Sequence, residues 1–181
     1  MPAFTAFDGS DPSLLTSALV AADSGLVIEA GSIVLQASGG SAVNLYDGSI
    51  AALGIGAGLL LTSGTTPTTT NTSTSFGSDN SATSGFANGD ADIDAVVNTV
   101  FHTQSYDATT LSFRFSVSDP NATSISFDVV FGSDEFPEWA DLFVDAAVVM
   151  VNGVNYALFN HDPSHPLSVI SPNVTAGYFQ N

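Results

Sequence analysis

The chain has no cysteine and no lysine, and its only arginine is Arg114. Without thiols there are no disulfides, no thiolate metal sites and no thiol catalysis. With one basic side chain there is no cationic surface to release counterions from nucleic-acid phosphates, nor one to meet an anionic membrane. Long apolar runs are also missing. The stretch Leu53 to Leu61 is broken by glycine and falls well short of the ~20 residues needed to span a bilayer. No N-terminal segment combines a basic start, an apolar run and a cleavage site. An exported chain of this kind is therefore expected to be a module of a longer protein. Cysteine-free export points to a bacterial source and to stabilisation by metal.

What is present is acid. Eighteen Asp and Glu set the formal charge at −17, yet Asp, Glu, Lys and Arg together make up only 10% of the 181 residues, against about a quarter in ordinary proteins. Carboxylates crowded into a fold repel one another and must take up protons or find cations. One arginine cannot neutralise them. A divalent ion can, and an all-oxygen donor set favours calcium, Ca2+. Strong net charge also accompanies disorder. Here, 44% hydrophobic residues and 13 Phe in patterned runs argue instead for a packed core.

The length suits a single domain over residues 1–181. Asp11 before Pro12 reads as a helix start, carboxylate at the N-cap and proline at N1, ahead of a helical period from Ser13 to Ala22. Beyond it, Leu26–Ile28, Ile33–Leu35, Val43–Tyr46 and Leu59–Thr62 read as short strands. Ser63 to Ser84 is nearly all Thr, Ser, Asn and Gly and reads as a long surface loop. Strict alternation predicts strands over Thr110–Ser118 and Ser124–Phe131, joined by a turn at Asp119-Pro120-Asn121. Asn152-Gly153 predicts a hairpin between Val144–Val151 and Val154–Phe159. The fold class expected is mostly β: an antiparallel β-sandwich with one or two short helices and long calcium-binding loops.

Two acidic groups are candidate metal sites. Asp90, Asp92 and Asp94 alternate like the first half of an EF-hand loop. However, Phe101 stands where that loop needs a bidentate Glu and Ala95 where it needs Gly, so an EF-hand is excluded. A looser calcium loop and the acidic first turn of a helix remain open. The second group is Asp134, Glu135, Glu138, Asp141 and Asp145. A solvated loop is the usual reading of a charge run. This run, however, is interleaved with Phe136, Pro137, Trp139 and Phe143, which favour burial, and carboxylates drawn together by buried aromatics need a counter-ion. Trp139 reads as a ligand contact or as a loop pin. His161 and His165 are spaced as a helical metal pair, but Pro163 and Pro166 exclude the helix, and with His102 they read as solvated loop residues. No nucleophile elbow, phosphate loop or dinucleotide fingerprint is present. Acid pairs such as Asp134 and Glu138 leave glycoside hydrolysis as the only enzymatic alternative. The expectation is that the chain is not an enzyme.

Residues 131–139, Phe-Gly-Ser-Asp-Glu-Phe-Pro-Glu-Trp, resemble the F-x-S-E-E-Y-P-E hallmark of the choice-of-anchor L domain family. Four companions follow the family's order: the glycine-rich strand Gly56 to Gly64, Gly89 to Asp94, Ser105 to Phe113, and Val151 to Leu158. Together they span roughly residues 10 to 181. Within that family the chain looks most like the peptide-binding module of bacterial RTX adhesins. The resemblance implies a secreted, surface-anchored protein that attaches to host or other cells, with a calcium-dependent pocket for the C-termini of partner polypeptides. Nucleic-acid binding and membrane insertion are not expected. Carried over by motif, Asp134, Glu135, Glu138, Asp141 and Asp145 would hold or border calcium, with Asp90, Asp92, Asp94 and Asp107 in second rank. Ser133, Trp139 and Tyr156 would face the ligand. Family members continue past the segment matching Gly177-Tyr178-Phe179 into further strands, which are expected to lie beyond Asn181, to come from another chain, or to be absent from this version. The alternative is a calcium-stiffened spacer with no ligand of its own.

Overall fold

A computed structural model describes residues 3–7, 9, 11–38, 42–64, 66 and 89–180. The expected Ser63–Ser84 loop lies almost wholly outside the described residues. The remainder forms small antiparallel sheets with three α-helices, a β-rich architecture. It divides into two compact units, one of residues 3–66 and 107–130 and one of residues 89–106 and 131–180.

In the first unit, Asp11 caps α1 (Pro12–Leu19) by accepting from the Ser13 amide at 2.9 Å and the Ser13 hydroxyl at 2.6 Å. That satisfies one of the orphan donors of the first turn. Strands β1 (Phe4–Ala6), β4 (Val43–Tyr46) and β5 (Gly58–Leu61) form one sheet, with Phe4 opposite Tyr46 and Val43 opposite Leu61. Helix α1 packs on β4 and β5, and Leu15, fully buried, joins Phe7 and Val43 in a core flanked by Leu35, Leu45, Leu59 and Leu111. Leu15→Ala should cost about 3 kcal/mol, the usual loss for a buried leucine. Urea unfolding checks this, and a loss under about 1 kcal/mol would mean that this core is not the unit's anchor.

The strand expected over Thr110–Ser118 is divided. Its first half, β6 (Thr110–Ser112), pairs with β3 (Val34–Gln36), and its second, β7 (Phe115–Val117), with β2 (Leu26–Ile28). The break falls at Arg114, whose amide donates to Ser32 Oγ at 3.0 Å and whose carbonyl accepts from the Glu29 amide at 2.8 Å. The Arg114 guanidinium meets Glu29 at 2.8 Å on the surface, a pair worth little to stability. The strand expected over Ser124–Phe131 has no hydrogen-bonded partner among the described residues, and Ile125, Phe127 and Val129 are about half exposed. Alternation defines which face is apolar; it does not supply a neighbouring strand.

The second unit contains α2 (Ala91–Phe101), the hairpin β8 (Met150–Val151) and β9 (Val154–Asn155), and α3 (Ser171–Thr175). The hairpin turns where expected. Asn152 and Gly153 both take positive φ, 51° and 79°, as a type I′ turn requires. Its first arm is much shorter than the run Val144–Val151. Half-buried aromatics hold the unit together: Phe159 stacks on Tyr178 at 4.4 Å, and Phe136 on Phe179 at 5.3 Å. No helix among the described residues is long and apolar enough to cross a membrane.

Candidate acidic loop site

The segment 132–145 leaves Phe131 and returns to residues 166–173, which form the buried floor of the second unit. At one end Ser133 Oγ donates to Asp145 Oδ2 at 2.6 Å and accepts from the Glu135 amide at 3.0 Å. Asp145 is held from behind, its carbonyl accepting from the Val169 amide at 3.0 Å. At the other end Asp141, at φ 70°, accepts from the Ser171 amide at 2.8 Å. This bond meets an orphan donor at the start of α3 and holds the Asp141 carboxyl below its usual range, through hydrogen bonds from Ser171. Between these ties, tight turns bond the Trp139 amide to the Glu135 carbonyl and the Leu142 amide to the Trp139 carbonyl, each at 2.9 Å.

The floor is mixed, with Val169 and Ile170 buried beside Ser168 and Asn173, whose buried polar atoms all have partners. Asn173 is completely buried. Its Nδ2 donates to the carbonyls of Pro166 and Ser168, each at 2.9 Å, and its Oδ1 meets His165 Nδ1 at 2.7 Å. With Nδ2 committed as donor, Oδ1 must accept, so His165 carries its proton on Nδ1.

Charge in the loop is not balanced by any basic neighbour. Burial raises the Asp134 carboxyl above its usual range, and the charge of Asp145 raises it further. Glu135 is raised for the same reasons, burial first, then Asp145 and Asp134. These three carboxylates therefore lie close enough to repel. Oxygen donors with surplus negative charge are the chemistry a hard divalent ion takes. Among the described residues, no three acidic or imidazole side chains are grouped so as to hold a metal ion.

The remaining candidates are placed differently. Asp90 caps α2, accepting from the Asp92 and Ile93 amides. Asp94 takes both the amide and the hydroxyl of Ser105, which lowers its carboxyl. Asp92 is exposed in the first turn. In a helix, residues two apart point in different directions, so the alternating triad does not converge; it favours the helix dipole instead. Asp107 belongs to the first unit, at φ 50°. Glu138 is exposed, Trp139 is 48% and Tyr156 54% exposed, and the Trp139 ring meets Phe143 edge-on at 6.2 Å. Sequence reasoning missed Asn173, Ser168 and Ser105. Ser171-Pro172 marks a helix start, but no local pattern marks Asn173 as the residue that ties the floor.

The sequence profile of the choice-of-anchor L domain matches residues 9–174. No curated protein and no solved structure matches the chain.

Proposed function

The chain belongs to the choice-of-anchor L domain family, a domain of surface-anchored proteins, and from that premise we propose that it is the calcium-dependent, peptide-binding module of a bacterial RTX-type adhesin. On this reading the strands complete a β-sandwich, and the module binds without turnover. The loop carrying Asp134, Glu135 and Asp145 takes calcium, and the ion holds the C-terminal carboxylate of a polypeptide on a target cell. Ser133, Trp139 and Tyr156 border the ligand.

The supporting observation is that Ser133 Oγ ties Asp145 to the Glu135 amide, at 2.6 and 3.0 Å, in a turn where burial first and the Asp145 charge second raise both Asp134 and Glu135, with no basic side chain to relieve them. Arg114, the chain's one basic residue, is already engaged with Glu29. A cation draws the three carboxylates inward and removes the repulsion in one step. The ion also resolves a conflict, since a field of −17 repels an anionic ligand unless a metal intervenes. Calcium uses six to eight oxygens, so part of the shell comes from backbone carbonyls, water and the ligand itself.

Peptide capture provides the test. A random-sequence peptide library with free C-termini should be retained with calcium and released by EDTA, whereas the same library amidated should pass through. Equal retention of both forms, or retention indifferent to EDTA, rejects the mechanism. A spacer would retain neither.

A further inference from the structure

We infer that the turn at residues 138–143 is a second recognition surface, one that takes a cationic polypeptide segment bearing an aromatic or large aliphatic side chain and needs no metal to do so. Three large apolar residues stand out from this one turn: Leu142 is 70% exposed, Phe143 61% and Trp139 48%. Isolated exposed apolar residues are ordinary, but three within five positions, on a backbone fixed by hydrogen bonds, form a prepared contact. The Leu142 and Phe143 amides both bond the Trp139 carbonyl, at 2.9 and 3.2 Å, and the Trp139 and Phe143 rings meet edge-on. Asp141 anchors the turn through Ser171. Little conformational entropy remains to be lost on binding.

Charge selects the occupant. Glu138 and Asp141 lie within the turn and both are exposed. A second copy of the chain brings another −17 and is repelled, as is an anionic membrane. A segment with arginine or lysine beside an apolar anchor gains on both counts: the anchor covers Trp139 and Phe143, and the cation meets Glu138. Arginine is favoured over lysine, because its planar guanidinium also stacks on an exposed indole.

Trp139 is the chain's single tryptophan, so its fluorescence reads this surface directly. This surface shares Trp139 with the calcium-held ligand site, and amidated peptides in EDTA keep the two apart, since calcium capture needs both the metal and a free C-terminus. A short Arg- and Phe-containing peptide should shift Trp139 emission to the blue, with affinity falling as salt rises. Its Ala-for-Phe and Glu-for-Arg counterparts should not. Phe143→Ala should weaken binding about tenfold or more, and Glu138→Gln should flatten the salt dependence while leaving the fold intact by circular dichroism. No shift with the Arg/Phe peptide, equal binding of the acidic peptide, or a shift given by zwitterionic vesicles but not by peptide would each overturn the inference.

Discussion

The double substitution Asp134→Asn, Glu135→Gln is expected to raise the thermal midpoint at neutral pH in chelator and to abolish the rise that calcium produces in the parent. Both carboxyls are raised in the folded chain. Their contribution to stability is therefore fully present below the unfolded pKa, where both are protonated, and is lost as pH rises through the folded value. At pH 7 they are charged and repel Asp145, and neutral isosteres remove that repulsion. Asp134 is exposed and Glu135 only partly buried, so solvent screening limits the gain to the order of 1 kcal/mol. Lowering pH should shrink the advantage of the double variant, because the parent then relieves itself by taking up protons. Calcium acts in the opposite sense. At a hundredfold excess over its dissociation constant it should stabilise the parent by about 2.7 kcal/mol, or roughly 5–10 °C for a chain of this length. A double variant less stable in chelator than the parent, or one that keeps the calcium response, contradicts this account of the loop.

The second large effect is expected at Asn173, remote from the acids in sequence but within the segment that ties their loop through Val169 and Ser171. In Asn173→Asp an oxygen replaces the amide nitrogen that lies 2.9 Å from the Pro166 and Ser168 carbonyls. The Ser168 carbonyl loses its Nδ2 donor, the Pro166 carbonyl is left with Ser168 Oγ alone, and the buried charge has only the His165 Nδ1 hydrogen bond to meet it. The cost should be about 3 kcal/mol or more. Asn173→Leu should cost somewhat less, because it removes the same donor, and the acceptor of His165 Nδ1, without adding a charge. As α3 loosens, Ser171 no longer holds Asp141, and Trp139 fluorescence should report the loop's release at denaturant concentrations where the parent is still folded. If either variant unfolds within about 0.5 kcal/mol of the parent, the buried network does not have the role assigned to it.

The parts of the fold that local chemistry controls were legible from the sequence. Asp11-Pro12 starts a helix because a carboxylate meets orphan amides and proline has no amide to strand. Asn152-Gly153 turns a hairpin because both residues tolerate positive φ. Partner choice was not legible. Thr110–Ser118 reads as one strand, yet its halves pair with β3 and β2, since pairing depends on what chain folding brings alongside. Ser124–Phe131 finds no partner strand among the described residues. In the candidate site, the acidic loop was singled out on aromatics expected to be buried, yet Phe136 is half-buried while Trp139 and Phe143 are exposed. The Asp90–Asp94 triad looked convergent on a strand-like count of two but lies on a helix, where a count of 3.6 disperses it. The couplings of Ser105 to Asp94 and of Asn173 to Pro166 and Ser168 carry no signal in any short window.

The most direct measurement is anomalous scattering from crystals grown with calcium. The account expects a peak within about 2.6 Å of carboxylate oxygens from Asp134, Glu135 and Asp145, with those side chains drawn together around it. A calcium-saturated crystal with no peak at that loop would contradict the central claim, whatever else the protein binds.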